Sequence, residues 1–130
     1  MKKRVFGRKF SRGRKARTAL FKSLAREFIL RGQITTTQAR VKAIKPVIDK
    51  LVTLAKQNTL TGKKALFAFL HQNKGIVDKL EEEVKSRFGS LSSGFTKQVR
   101  VAPRSGDSAP LVKILWSRKA VETKPKQVAK

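Results

Sequence analysis

The chain has 130 residues, 39% of them hydrophobic, which suits one domain around a single modest core. Its 32 lysines and arginines against 8 acids give a formal charge of +24, so the chain repels itself and its natural complement is a polyanion, foremost a nucleic acid. The lack of cysteine excludes disulfides, thiolate chemistry and cysteine-based zinc sites and permits a reducing cytosol, and no apolar run reaches the length of a signal-peptide core or a membrane span.

Residues 1–14 carry seven basic residues and no acid, and the stretch KKRVFGRKFSRGRKAR, residues 2–17, holds nine cations, two phenylalanines and two glycines. A solvated tail would explain the charge but not the rings. If the segment extends, Phe6 and Phe10 have no core within reach, whereas nucleobases offer each a stacking surface worth about 1–3 kcal/mol. Arg4, Arg8, Arg12, Arg14 and Arg17 can grip phosphates bidentately, Lys2, Lys3, Lys9 and Lys15 add point charges, and Gly7 and Gly13 let the backbone turn.

The spacing of Leu20, Phe21, Leu24, Ala25, Phe28 and Ile29 predicts a helix over Arg14–Arg31, ended by Gly32 as a left-handed cap. Lys15, Lys22 and Arg26 fall away from that stripe, which gives the helix a cationic side. Gln33–Thr36 reads as a short strand, and Thr37 as the N-cap of a helix through Lys56 with Ile44, Val47, Ile48, Leu51 and Ala55 inward and a kink at Pro46. Arg40 and Lys42 on this helix are further candidate phosphate contacts. QNTLTG reads as a break, KKALFAFLHQ as a third short helix, and NKG as a stop. A fourth helix is expected from Gly75 to Phe88, with Gly89 at its end; Ile76, Leu80, Val84 and Phe88 form its stripe. Four of the eight acids lie on it, with Glu81–Lys85 and Glu83–Arg87 in the favourable i, i+4 order. FTKQVRVAP and LVKILW then alternate as two strands of a hairpin around RSGDSAP, where Arg104 is the last basic candidate.

The order implies a two-layer α+β domain: helix, strand, three helices, two strands, with helices on one face of a small sheet that includes the hairpin. Residues 15–116 form the expected domain, residues 1–14 a basic nucleic-acid-binding tail, and SRKAVETKPKQVAK at 117–130 a second basic tail expected to be disordered in isolation.

Sites for chemistry are weakly supported. His71, the single histidine, lacks any catalytic company and reads as a packing or surface residue in the third helix. TGKK at 61–64 lacks both the leading glycine and the final serine or threonine of a phosphate-binding loop. The acids from Asp78 to Glu83 lack a ligand-loop pattern. The sequence therefore implies no catalytic residue, no metal, no cofactor and no small-molecule substrate. Ordering a long tail costs about 1–2 kcal/mol per residue, so enclosure by a folded RNA, with phosphates on several sides and splayed bases, suits it better than one face of a DNA duplex.

MKKRVFGRKFSR, ARTALFKSLAREFILRGQITTTQARVKAI, LVTLAK and SGFTKQVRVAPRSGDSAPLVKIL, in that order, resemble the bacterial-type large-subunit ribosomal protein family numbered seventeen over most of residues 1–116. The resemblance implies an α+β fold and a structural component of the large ribosomal subunit in the cytoplasm. It also implies binding to ribosomal RNA near the peptide exit region, beside neighbouring ribosomal proteins. Lys3, Ala16 and Leu115 depart from the family pattern at positions that are usually histidine, histidine and acidic. The reading is a non-enzymatic protein that clamps RNA segments; the alternative is a nucleoid-type protein that compacts DNA.

Overall fold

The structure is a computed structural model and describes residues 7–119. Lys2, Lys3, Arg4 and Phe6, and most of the C-terminal tail, lie outside the described residues. Four helices and three strands follow one another as α1 (Arg14–Arg31), β1 (Gln33–Thr37), α2 (Gln38–Gln57), α3 (Leu60–Phe69), α4 (Lys74–Phe88), β2 (Thr96–Arg100) and β3 (Leu111–Trp116). The sheet is antiparallel with the order β1-β3-β2, so the last strand of the chain is its centre. Ile34 pairs with Ile114 and Thr96 with Trp116. Val112, Ile114 and Trp116 alternate inward from β3 onto the helices, as expected of a half-covered sheet.

The core follows the expected stripes of α2 and α4 and the second half of α1, whereas Leu20, Phe21, Leu24 and Val47 are only partly buried and Val41, Val52 and Val77 join the core from outside those stripes. Ala25, Phe28 and Ile29 of α1, Val41, Ile44, Ile48, Leu51 and Val52 of α2, and Ile76, Val77, Leu80, Val84 and Phe88 of α4 are all buried. An aromatic cluster closes one end: the rings of Phe28 and Trp116 lie 4.4 Å apart, Phe88 and Trp116 5.5 Å, and Phe88 and Phe95 5.2 Å. It joins α1, α4 and β3, and edge-to-face pairs of this kind contribute about 0.5–1.5 kcal/mol each beyond their buried area. Gly32 ends α1 with φ 72° and its N–H donates to Phe28 O. Trp116 packs beneath it, 3.7 Å from where a β-carbon would stand.

Four local expectations are corrected. Helix α3 begins at Leu60 rather than Lys63, because the Thr59 hydroxyl caps it by accepting from the Gly62 N–H at 3.1 Å. Gly62 lies inside that first turn and is buried, because a β-carbon there would stand 3.0 Å from Leu54 O of α2. The same helix stops at Phe69, since His71 and Gln72 both adopt left-handed backbone at φ 56° and reverse the chain, the Gln72 N–H donating to Phe67 O. Thr37 does occupy the N-cap position of α2, but its hydroxyl caps nothing; instead the Gln38 N–H donates to Pro110 O at the end of the β2–β3 loop. Gly89, after α4, stays right-handed, at φ −48°. Pro46 sits within α2, which continues through it to Gln57.

Candidate nucleic-acid interface

The described part of the basic segment folds back on the body instead of extending from it. Phe10 and Ser11 take φ of 52° and 50°, the Arg12 N–H donates to Lys9 O at 3.1 Å, and the Arg12 guanidinium donates to Phe10 O at 3.0 Å. The turn brings the Phe10 ring edge-on to Phe21, with centroids 6.1 Å apart, so the expectation that Phe10 finds no folded partner does not hold. The reversal needs no glycine: two local hydrogen bonds and one ring contact hold two residues in a costly conformation.

Doubling back places Arg8 and Lys9 beside Arg17 of α1 and Lys42 of α2. Together with Gly7, Phe21, Ala43 and Pro46 these residues line an open groove of about 470 Å³. Helical spacing explains the walls: Arg17 and Phe21 stand one turn apart on α1, and Lys42 and Pro46 one turn apart on α2. Among the described residues no carboxylate lines the groove, and the first acid after residue 7 is Glu27. Four cations around one concavity with an aromatic floor suit a chain of phosphates with bases attached.

On the opposite flank of α1, Arg14, Lys15, Thr18, Ala19 and Lys22 line a second recess of about 410 Å³, whose far wall is His71. Lys22 Nζ reaches across to donate to Ala68 O at 3.3 Å and lies 5.8 Å from the Phe69 ring centre, tying α1 to the end of α3. Lys15, Lys22 and Arg26 share the cationic side that the periodicity indicated, but Arg26 and Arg40 line neither concavity. Arg104 stands apart in the β2–β3 loop, with Nε and Nη2 bound to the two Asp107 oxygens at 3.0 and 2.6 Å. That hydrogen bond, then one from the Ala109 N–H, holds the Asp107 carboxyl down at about 2. The pair raises Arg104 above its already high value.

Several cations elsewhere serve their own chain. Lys79 Nζ donates to Leu30 O at the C-terminus of α1 at 2.6 Å, Arg87 pairs with Glu83 and donates to Arg118 O, Arg31 pairs with Glu27, and Lys63 pairs with Glu81 at 3.5 Å. Of the two ion pairs expected along α4, Glu83–Arg87 forms, whereas Glu81 turns to Lys63 on α3. By contrast, among the described residues, none of Arg8, Lys9, Arg12, Arg14, Lys15, Arg17, Lys22, Arg26, Arg40 or Lys42 forms an ion pair. Sequence reasoning missed His71 as a wall of the recess, because the signal lies in a left-handed turn formed without glycine.

The described residues hold no group of three or more histidine, cysteine or acidic side chains placed to bind a metal, and no helix among them is long and apolar enough to cross a membrane. The sequence profile of the family described as Ribosomal protein L17 matches residues 20–116. The chain is 36% identical over 118 residues to the large ribosomal subunit protein bL17 of Coprothermobacter proteolyticus, covering 91% of this chain and 100% of that one. It is 38% identical over 114 residues to the protein of that name from Thermomicrobium roseum, covering 88% and 97%, and 35% identical over 127 residues to that of a Wolbachia from Brugia malayi, covering 97% and 89%. With the matched region running from within α1 to the end of β3, the chain belongs to the ribosomal protein L17 family.

Proposed function

We propose that this protein, a structural constituent of the large ribosomal subunit in the cytoplasm, binds ribosomal RNA by clamping separate backbone segments against the two flanks of α1. The observation that carries the reading is the acid-free groove in which Arg8, Lys9, Arg17 and Lys42 converge. Residues 1–14 act as the basic arm, with Lys2, Lys3 and Arg4 extending the phosphate contacts and Phe6 stacking on a base. Phe10 wedges between a base and Phe21, 6.1 Å from it. Residues 15–116 are the body and residues 117–130 a second basic tail. Arg12, Arg26 and Arg40 add charge around the grooves, and Arg104 contributes through Nη1, the nitrogen not used by Asp107. The work is electrostatic and steric, without a chemical step. Neighbouring ribosomal proteins near the peptide exit region are the expected protein contacts, on the strength of the family resemblance.

The test is a salt titration on large-subunit ribosomal RNA stripped of protein, repeated on duplex DNA. In the triple variant Arg8→Ala, Arg17→Ala, Lys42→Ala, the slope of log affinity against log salt becomes shallower by about 2–3, from the counterions released per phosphate. The melting curve does not change. An unchanged slope overturns the groove as the contact, and equal or tighter binding to DNA favours a DNA-compacting protein instead.

A further inference from the structure

The recess between α1 and the turn after α3 is not needed to explain the first groove, yet it has the make-up of an anion site. Arg14, Lys15 and Lys22 come from one face of α1, Thr18 lies between them with its hydroxyl donating to Arg14 O at 3.0 Å, and the opposing wall is the exposed imidazole of His71. Among the described residues, the only charged groups lining it are those three cations; α3 contributes none, and Lys74 opens α4 three residues beyond His71. No carboxylate among the described residues lines the recess. The turn is held in place: His71 and Gln72 are fixed in left-handed backbone, the Gln72 N–H is bound to Phe67 O at 2.7 Å, and Lys22 anchors the α3 end through Ala68 O. The imidazole is thus presented to the cationic face of α1 by a rigid element rather than by a loose loop.

We infer that this recess is a second phosphate site of the RNA interface and that His71 is a ligand-facing residue in it, its ring N–H donating to a phosphate oxygen. The inference rests on the RNA-binding reading for its natural ligand. A phosphate between His71 and the three cations favours the imidazolium form, so binding gains a pH dependence that lysines and arginines alone do not give. The sign is fixed: affinity is highest when the imidazole is protonated and falls as the imidazolium is lost.

Three variants separate charge from shape. His71→Asn keeps a neutral donor and tolerates the left-handed backbone; His71→Lys keeps a permanent charge; Arg14→Gln with Lys22→Gln empties the opposite wall. Affinity for protein-stripped large-subunit RNA is measured at pH 5.5 and pH 8 at fixed salt. Wild type tightens about tenfold more on acidification than His71→Asn, as one linked proton can give. His71→Lys binds as tightly at pH 8 as at pH 5.5. In parallel, inorganic tripolyphosphate is titrated into the protein while the imidazole resonances are followed, which is unambiguous because the chain has one histidine. Those resonances shift in wild type and not in the Arg14, Lys22 double variant. Identical pH profiles for wild type and His71→Asn overturn the role of His71. Resonances that ignore tripolyphosphate overturn the site itself. A wild type that responds to tripolyphosphate but binds RNA no better than DNA keeps the site and sinks the RNA reading.

Discussion

Two regions of this protein use the same basic residues to opposite ends. Around α4, three cations are occupied by their own chain: Lys79 caps α1, Arg87 holds Glu83 and Arg118 O, and Lys63 reaches Glu81. Around the N-terminal half of α1, among the described residues, no cation forms an ion pair, although Lys22 donates to Ala68 O, and they gather around two concavities. The difference lies in the placing of acids, four of which lie between residues 78 and 83 while residues 7–26 hold none. A basic residue stabilises the fold where the chain provides an acceptor and is left to a polyanion where it does not.

The comparison is broken most forcefully from the core. Ile48→Asp, at a residue 2% exposed, buries a carboxylate at a cost of several kcal/mol against a total of about 5–15, and abolishes the cooperative melt. Leu24→Asp does less, because Leu24 is only partly buried. Neither result depends on RNA. Next in size, Gly62→Ala lowers stability by about 1–3 kcal/mol in urea titrations, as overpacking against Leu54 O outweighs the better helix propensity of alanine.

Lys79→Ala sharpens the contrast directly. It removes a cation and a donor from Leu30 O, so it lowers stability by about 0.5–1 kcal/mol in the same urea titrations and leaves the salt slope of RNA binding intact. Arg17→Ala does the reverse, with an unchanged melt and a slope shallower by about 1. The smallest effect is at Asp107. Its carboxyl titrates near 2, below the usual 3.8, so its contribution is complete above the usual carboxylate range and is lost as pH falls through about 2. Arg104→Gln returns the titration, followed by carboxyl resonances, toward the usual range without altering the global melt.

The helical half of the fold was legible because its stripes are long and strongly periodic: Phe28, Ile48 and Leu80 are buried where the spacing put them. What escaped was decided by tertiary contact. The start of α3 depends on the Thr59 hydroxyl, and Gly62 looks like a turn signal until the α2 backbone lies above it. The cationic residues themselves were readable from charge alone, but their division between two grooves was not. It follows from chain reversals at Phe10 and at His71, neither of which carries the glycine that marks such a turn.

The position of β3 at the centre of the sheet sets an order on the birth of the molecule. Helix α1 finishes at Arg31, but Trp116, against which Phe28 packs, is made 85 residues later, some 4–17 s at about 5–20 residues per second. During that interval neither outer strand has its partner. The basic segment, which leads the chain and repels itself, is open to capture by a polyanion before the body that carries it can close. Maturation of this protein therefore begins with charge and ends with packing.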